Sequence, residues 1–102
     1  MAGLGEDTKS LDETKDEVRE PGMYHVIFLN DNYTPMDFVV EVLSKIFGKS
    51  ENEAINIMMK VHNDGKAIVG TYIEDIAQTK SETVKRIAKD NEFPLKTQVT
   101  PA

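Results

Sequence analysis

Within the sixteen residues from Met23 to Phe38 the chain passes from a strand into a helix with almost nothing between them. Met23-Tyr-His-Val-Ile-Phe-Leu29 is rich in aromatic and β-branched side chains and reads as a strand. It ends on Asn30-Asp31-Asn32, residue types that favour loops and helix entries. Helix-start signals follow at once, with Thr34 as N-cap, Pro35 at the first helical position and Asp37 as the capping-box acid. Phe38, Val39, Val42, Leu43 and Ile46 then recur at helical spacing up to about Phe47, and Gly48 fits the C′ position. A strand tied this closely to an amphipathic helix places carboxylate and amide groups at the rim of an apolar crevice. Such a site suits a ligand with a cationic or donor head and an apolar body.

Further along, Ser50-Glu-Asn-Glu53 is a second capping box. Its helix carries Ala54, Ile55, Ile57, Met58, Val61 and His62, and ends near Asn63-Asp64-Gly65. Ala67 to Ile73 reads as a second strand, and a third helix spans roughly Glu74 to Asn91, burying Ile76, Ala77, Val84, Ile87 and Ala88. Pro94 breaks the chain before a final strand, Leu95 to Thr100. The order β-α-α-β-α-β predicts an α+β fold, a two-layer α/β sandwich. The connection between the first two strands is long enough for either strand direction. An antiparallel sheet leaves one face solvated, so the expectation is three antiparallel strands with three helices on one face.

The 102 residues suffice for one domain with a modest core. Residues 1–20 stand apart, with seven acids against Lys9, Lys15 and Arg19 and no aromatic residue. Such a segment cannot offset its ordering entropy, so a flexible acidic N-terminal extension is expected, with a folded domain over 21–102. The net charge of −6 argues against binding a phosphate backbone, which needs clustered Lys and Arg. There are no cysteines, hence no disulfide, thiolate nucleophile or thiolate metal site. No apolar run resembles a signal peptide or a membrane helix, so a cytoplasmic protein is expected. The sequence does not encode an oligomeric state, and a monomer is the simplest expectation.

Little in the chain resembles catalytic machinery. Gly48-Lys49-Ser50 looks like the end of a phosphate-binding loop, but Leu43 stands where that loop needs its first glycine, and the stretch joins two helices. His25 and His62 are the only histidines and form no helical metal-binding pair. Ser44, Ser50 and Ser81 are explained as caps or exposed helix positions, with no nucleophile elbow. No metal or cofactor is expected. Met36, Met58 and Met59 read first as core filler. Yet Met36 lies in the first turn of its helix, and Met58 and His62, four residues apart, share a helix face.

Asn30-Asp31-Asn32-Tyr33-Thr34-Pro35-Met36-Asp37-Phe38-Val39 resembles the signature of the ClpS family, adaptors of bacterial N-end-rule degradation. Val61-His62-x-x-Gly65 and Asn91-Glu92-x-Pro94-Leu95 are similar to later motifs of that family, and the resemblance spans about residues 22 to 100. It implies an α/β sandwich of three antiparallel strands and three helices behind a flexible N-terminal extension. It also implies an adaptor that binds free N-terminal Leu, Phe, Tyr or Trp and delivers the bearer to the AAA+ unfoldase ClpA, or ClpC, for degradation by ClpP. By the same resemblance, Asn30 and His62 hydrogen-bond the α-amino group, with Asp31 and Asn32 beside them. Thr34, Met36, Val39, Met58, Val61 and Leu95 line the side-chain pocket, and Met36 is the gate that excludes β-branched residues. Asp75 and Lys80 are implied as the unfoldase-facing residues, although solvated helix charges explain them equally well. One position departs from the family, which usually has a second acid where this chain has Asn32. Asn can still accept through its carbonyl oxygen but adds no negative charge.

Two other classes compete. One is a non-catalytic interaction module associated with the ribosome or another complex, since the C-terminal domain of the ribosomal stalk protein has a related sandwich and fold alone does not fix function. The other is a hydrolase, which requires a nucleophile that the chain does not offer.

Overall fold

In the computed structural model, which describes residues 22–102, β1 (Met23–Leu29) is the middle strand of an antiparallel sheet ordered β2-β1-β3. Its neighbours are β2 (Lys66–Ile73) and β3 (Lys96–Pro101). The acidic extension expected over residues 1–20, and Pro21 at its border, lie outside the described residues. Alternation along β1 sorts its side chains. Val26 and Phe28 are fully buried on one face, while His25 and Ile27 are half-buried on the other. His25 Nδ1 lies 2.8 Å from the hydroxyl of Thr71 on the facing strand, so this histidine joins two strands.

Three helices, α1 (Met36–Phe47), α2 (Glu51–Asp64) and α3 (Glu74–Asp90), complete the layer over the Val26–Phe28 face. Leu43 of α1 and Val84 of α3 are fully buried with Phe28, and Phe47 meets Phe28 edge-on at 5.6 Å between ring centroids. The register shifts between Val26 and Ile27, which pair with Gly70 and Ile68, so Val69 is the extra residue of a β-bulge. Ala67 and Val69 are both buried and Ile68 is exposed, by the alternation of the strand.

Two local expectations need correction. Helix α1 begins at Met36 with Pro35 as its N-cap, and no side chain caps it. Thr34 is not the cap, because its hydroxyl is donated to Asp31 Oδ2 at 2.8 Å. Asp37 therefore has no capping box to close, and accepts instead from the adjacent amide of Phe38 at 3.0 Å. On α3 the buried face is Ala77, Ser81, Val84 and Ala88, while Ile76 is exposed and Ile87 half-buried. Small residues let α3 approach the sheet closely. Ser81, expected as a cap or exposed helix position, is instead buried, and its hydroxyl is hydrogen-bonded to that of Thr97 on β3. The Ser50–Glu53 capping box of α2 is present in full, and holds the Glu53 carboxyl below its ordinary range through hydrogen bonds from Ser50. Among the described residues no helix is long and apolar enough to cross a membrane.

Candidate functional site

Six residues, 30–35, join β1 to α1, and one carboxylate organises them. Asp31 Oδ1 accepts the backbone amides of Tyr33 at 2.8 Å and Thr34 at 2.7 Å, and Oδ2 accepts the Thr34 hydroxyl. Burial acts to raise the Asp31 carboxyl, but the Thr34 and Tyr33 amides, the Thr34 hydroxyl and the charge of Lys96 outweigh it. The net effect holds Asp31 below the usual carboxylate range, and therefore ionised at neutral pH.

The opposite wall comes from the end of α2. Gly65 has φ +89°, a left-handed conformation that L-residues adopt at a cost, and its amide bonds the carbonyl of Val61 at 2.9 Å. Its own carbonyl accepts the amide of Asn30 at 2.9 Å. That single bond pins the last turn of α2, and His62 with it, beside the end of β1.

Between these walls lies a cavity of about 180 Å³. An apolar cavity of about 150 Å³ is large enough to admit benzene. Asn30, Asp31, Asn32, Thr34 and His62 line its rim, and Met36, Val39, Met58, Val61 and Leu95 line its wall. The structure thus gathers all ten residues singled out in the sequence around one cavity. Val39, Val61 and Leu95 are buried, Met58 is half-buried, and Met36 stands at the mouth with 44% of its surface exposed. Asn30, Asn32 and His62 are exposed. Leu29 lines the cavity as well, a residue that sequence reasoning misses. Its only sequence signal is its place as the last strand residue before the polar trio.

The electrostatic character is set by the side chains. The rim offers carbonyl, carboxylate and imidazole acceptors, and among the described residues no Lys or Arg lines the cavity. An anion has nothing to pair with, whereas a cationic donor meets several acceptors. The one hydroxyl at the rim, on Thr34, is already donated to Asp31. Among the described residues no group of three or more His, Asp or Glu side chains could hold a metal ion.

Asp75 and Lys80 lie apart from the cavity on α3. Asp75 is an exposed acid in the first turn. Lys80 donates to the carbonyl of Ile46 at 2.7 Å and lies 5.6 Å and 5.3 Å from the ring centres of Phe47 and Tyr72. Its ammonium therefore holds the C-terminal end of α1, an intramolecular role that its sequence position does not reveal.

The family described as ATP-dependent Clp protease adaptor protein ClpS matches residues 19–98. The ATP-dependent Clp protease adapter protein ClpS of Sodalis glossinidius is 46% identical over 92 residues, covering 90% of this chain and 87% of that protein. The same-named protein of Wolinella succinogenes is 47% identical over 98 residues, covering 94% of each. Among solved structures, Agrobacterium tumefaciens ClpS2 bound to L-phenylalaninamide superposes with a TM-score of 0.78 at 38% identity, covering 81% of this chain and all of that one. With its three-stranded sheet, its three helices and this degree of identity over most of its length, the chain belongs to the ClpS family of Clp protease adaptor proteins.

Proposed function

We propose that this chain is a non-catalytic adaptor that holds the free N-terminus of proteins beginning with Leu, Phe, Tyr or Trp. It delivers them, as a cytoplasmic monomer, to the ClpA or ClpC unfoldase that feeds ClpP. The observation that carries this reading is the union, in one cavity, of an acceptor rim without cations and an apolar wall.

A backbone amine, with an intrinsic pKa of about 7.7–8.0, is mostly ammonium at pH 7 and donates three hydrogen bonds. Asn30 and neutral His62 supply two acceptors. Asp31 already accepts three hydrogen bonds from its own turn, so it acts on the ammonium chiefly through its field. Asn32 contributes a dipole without charge, which leaves Asp31 as the one anion lining the cavity among the described residues. Burying a Leu or Phe side chain contributes roughly 1.5–3 kcal/mol. Each hydrogen bond to the charged amine adds roughly 1.5–3 kcal/mol. After the association cost, a Kd in the micromolar range, about −8 kcal/mol, is expected. Met36 at the mouth meets the ligand near its Cβ, and so disfavours Ile and Val. The L-phenylalaninamide bound by the Agrobacterium relative combines a free α-amine with an aromatic side chain, the two features that this cavity suits. For the unfoldase, the reading assigns the α3 surface that carries Asp75 and Lys80.

Fluorescence anisotropy of labelled peptides tests the proposal. A Leu peptide is expected to bind saturably, while its acetylated form and an Ile peptide do not. Equal behaviour of all three would reject N-terminal recognition and favour a plain interaction module.

A further inference from the structure

Beside the recognition cavity lies a second, open cleft whose charge runs against that of the chain. Lys85, Lys89 and Lys96 line it with Glu92, Phe93 and Tyr33, in a protein of net charge −6. The two clefts adjoin, with Leu95 lining both. Tyr33 joins them from the other side. Its neighbours Asn32 and Thr34 line the first cavity, while its own ring borders the second and is 80% exposed. The turn that Asp31 ties together thus holds a large aromatic ring out over a basic groove. Lys85 lies 3.7 Å from Glu82, with both side chains well exposed. Lys89 and Lys96 make no ion pair among the described residues.

A protein chain held by its first residue must leave the cavity across its mouth. An extended strand advances about 3.3 Å per residue, so residues two to four cover about 10 Å beyond the anchored amine. Crossing Leu95 brings them over Tyr33 and Phe93, within reach of long, flexible lysine side chains. We infer that this groove is a subsite for residues two to four of the bound chain and that it favours acidic side chains there. The inference rests on the N-terminal recognition reading above and adds a second determinant of specificity to it. One anion at the rim faces the amine, and three cations in the groove, offset in part by Glu92, face the residues next to it in the bound chain.

The test uses the full chain and anisotropy of labelled peptides that all begin with free Leu. Residues three and four are Asp-Glu, Asn-Gln or Lys-Lys. The acidic peptide is expected to bind about threefold to tenfold more tightly than the neutral one at low salt, as for two exposed ion pairs. The ratio should shrink towards one in 0.5 M salt, about half a molar being well into the screening regime. It should also fall in a Lys85→Gln/Lys89→Gln double variant, where acidic and neutral peptides are compared within the same protein. If neutral Leu binds but the acidic peptide binds no better, the groove is not a subsite and the recognition reading stands. If the ratio survives in the double variant, the lysines are not its source. An acetylated acidic peptide that binds as tightly as the free one would detach the groove from N-terminal recognition and overturn the inference. If no Leu peptide binds at all, the recognition reading itself fails first.

Discussion

Asp31 spends its acceptor capacity on its own turn, and this divides the labour among the rim residues. Its carboxyl is held below the ordinary range, so the stabilisation it brings is fully present above about pH 4 and is lost only as pH falls through the lowered value. Between pH 7.5 and 5 Asp31 therefore stays ionised, and the ligand amine stays protonated or becomes more so. Asp31 therefore gives no reason for affinity to change over that interval. We expect His62→Ala to weaken Leu-peptide binding about tenfold by anisotropy, as for one lost hydrogen bond to a charged group, and an unchanged affinity would remove His62 as acceptor. In the proposed reading, Met36 acts at the mouth by shape alone. With 44% of its surface exposed, it can be shortened at little cost to the fold. Met36→Ala should admit Ile and Val N-termini, recovering about 1–3 kcal/mol of discrimination in the same assay. The polar trio, His62 and Met36 are legible in the sequence chiefly through the family signature that they match, since each also has an ordinary loop or core explanation. The engagement of Asp31 is not, since three hydrogen bonds to one carboxylate depend on how the turn closes.

The helix ends carry the next level of specificity. Gly65 both stops α2 and presents the carbonyl that binds the amide of Asn30. Gly65→Ala should cost about 1–2 kcal/mol from its left-handed backbone, and should weaken peptide binding as well, by shifting His62 against Asn30. Thermal melts and anisotropy on one preparation separate the two effects. The end of α3 is a Schellman closure made without glycine. Phe93 and Glu92 donate to the carbonyls of Ala88 and Lys89, and Glu92 sits at φ +62°. Phe93 then packs edge-on against Phe38, 4.8 Å between ring centroids. Glu92→Gly should stabilise the protein by about 1 kcal/mol, a rise of several degrees in Tm by calorimetry. A Tm that falls would mean that the Glu92 side chain contributes more than its backbone conformation costs. The capping box of α2 is readable because its signal is local. The start of α1 departs from its local signals for a tertiary reason, because Thr34 is claimed by Asp31 before it can cap the helix.

At the scale of the molecule, the site exists because β1 is the central strand. Its C-terminal end meets the loop that begins α1, the last turn of α2 and Leu95 just before β3. Residues 1–20 lie outside the described residues and carry seven of the eighteen acids of the chain. If this segment serves delivery rather than recognition, its removal should leave peptide affinity unchanged and abolish degradation of a Leu-bearing substrate by the unfoldase and protease. Equal degradation without it would reject that division. The sequence by itself determined what periodicity and local signals encode: the number, order and approximate limits of the strands and helices, the caps of α2, and the polar turn beside an apolar stripe. Only the tertiary structure decided the sheet order, the bulge at Val69 and the burial of Ser81 against Thr97. It also decided the tether of Lys80 to α1, and the meeting of Leu29, Leu95 and Lys96 with the two clefts. These features join residues far apart in the chain, and their partners are selected by packing the sheet against the helices, a choice that no local pattern encodes.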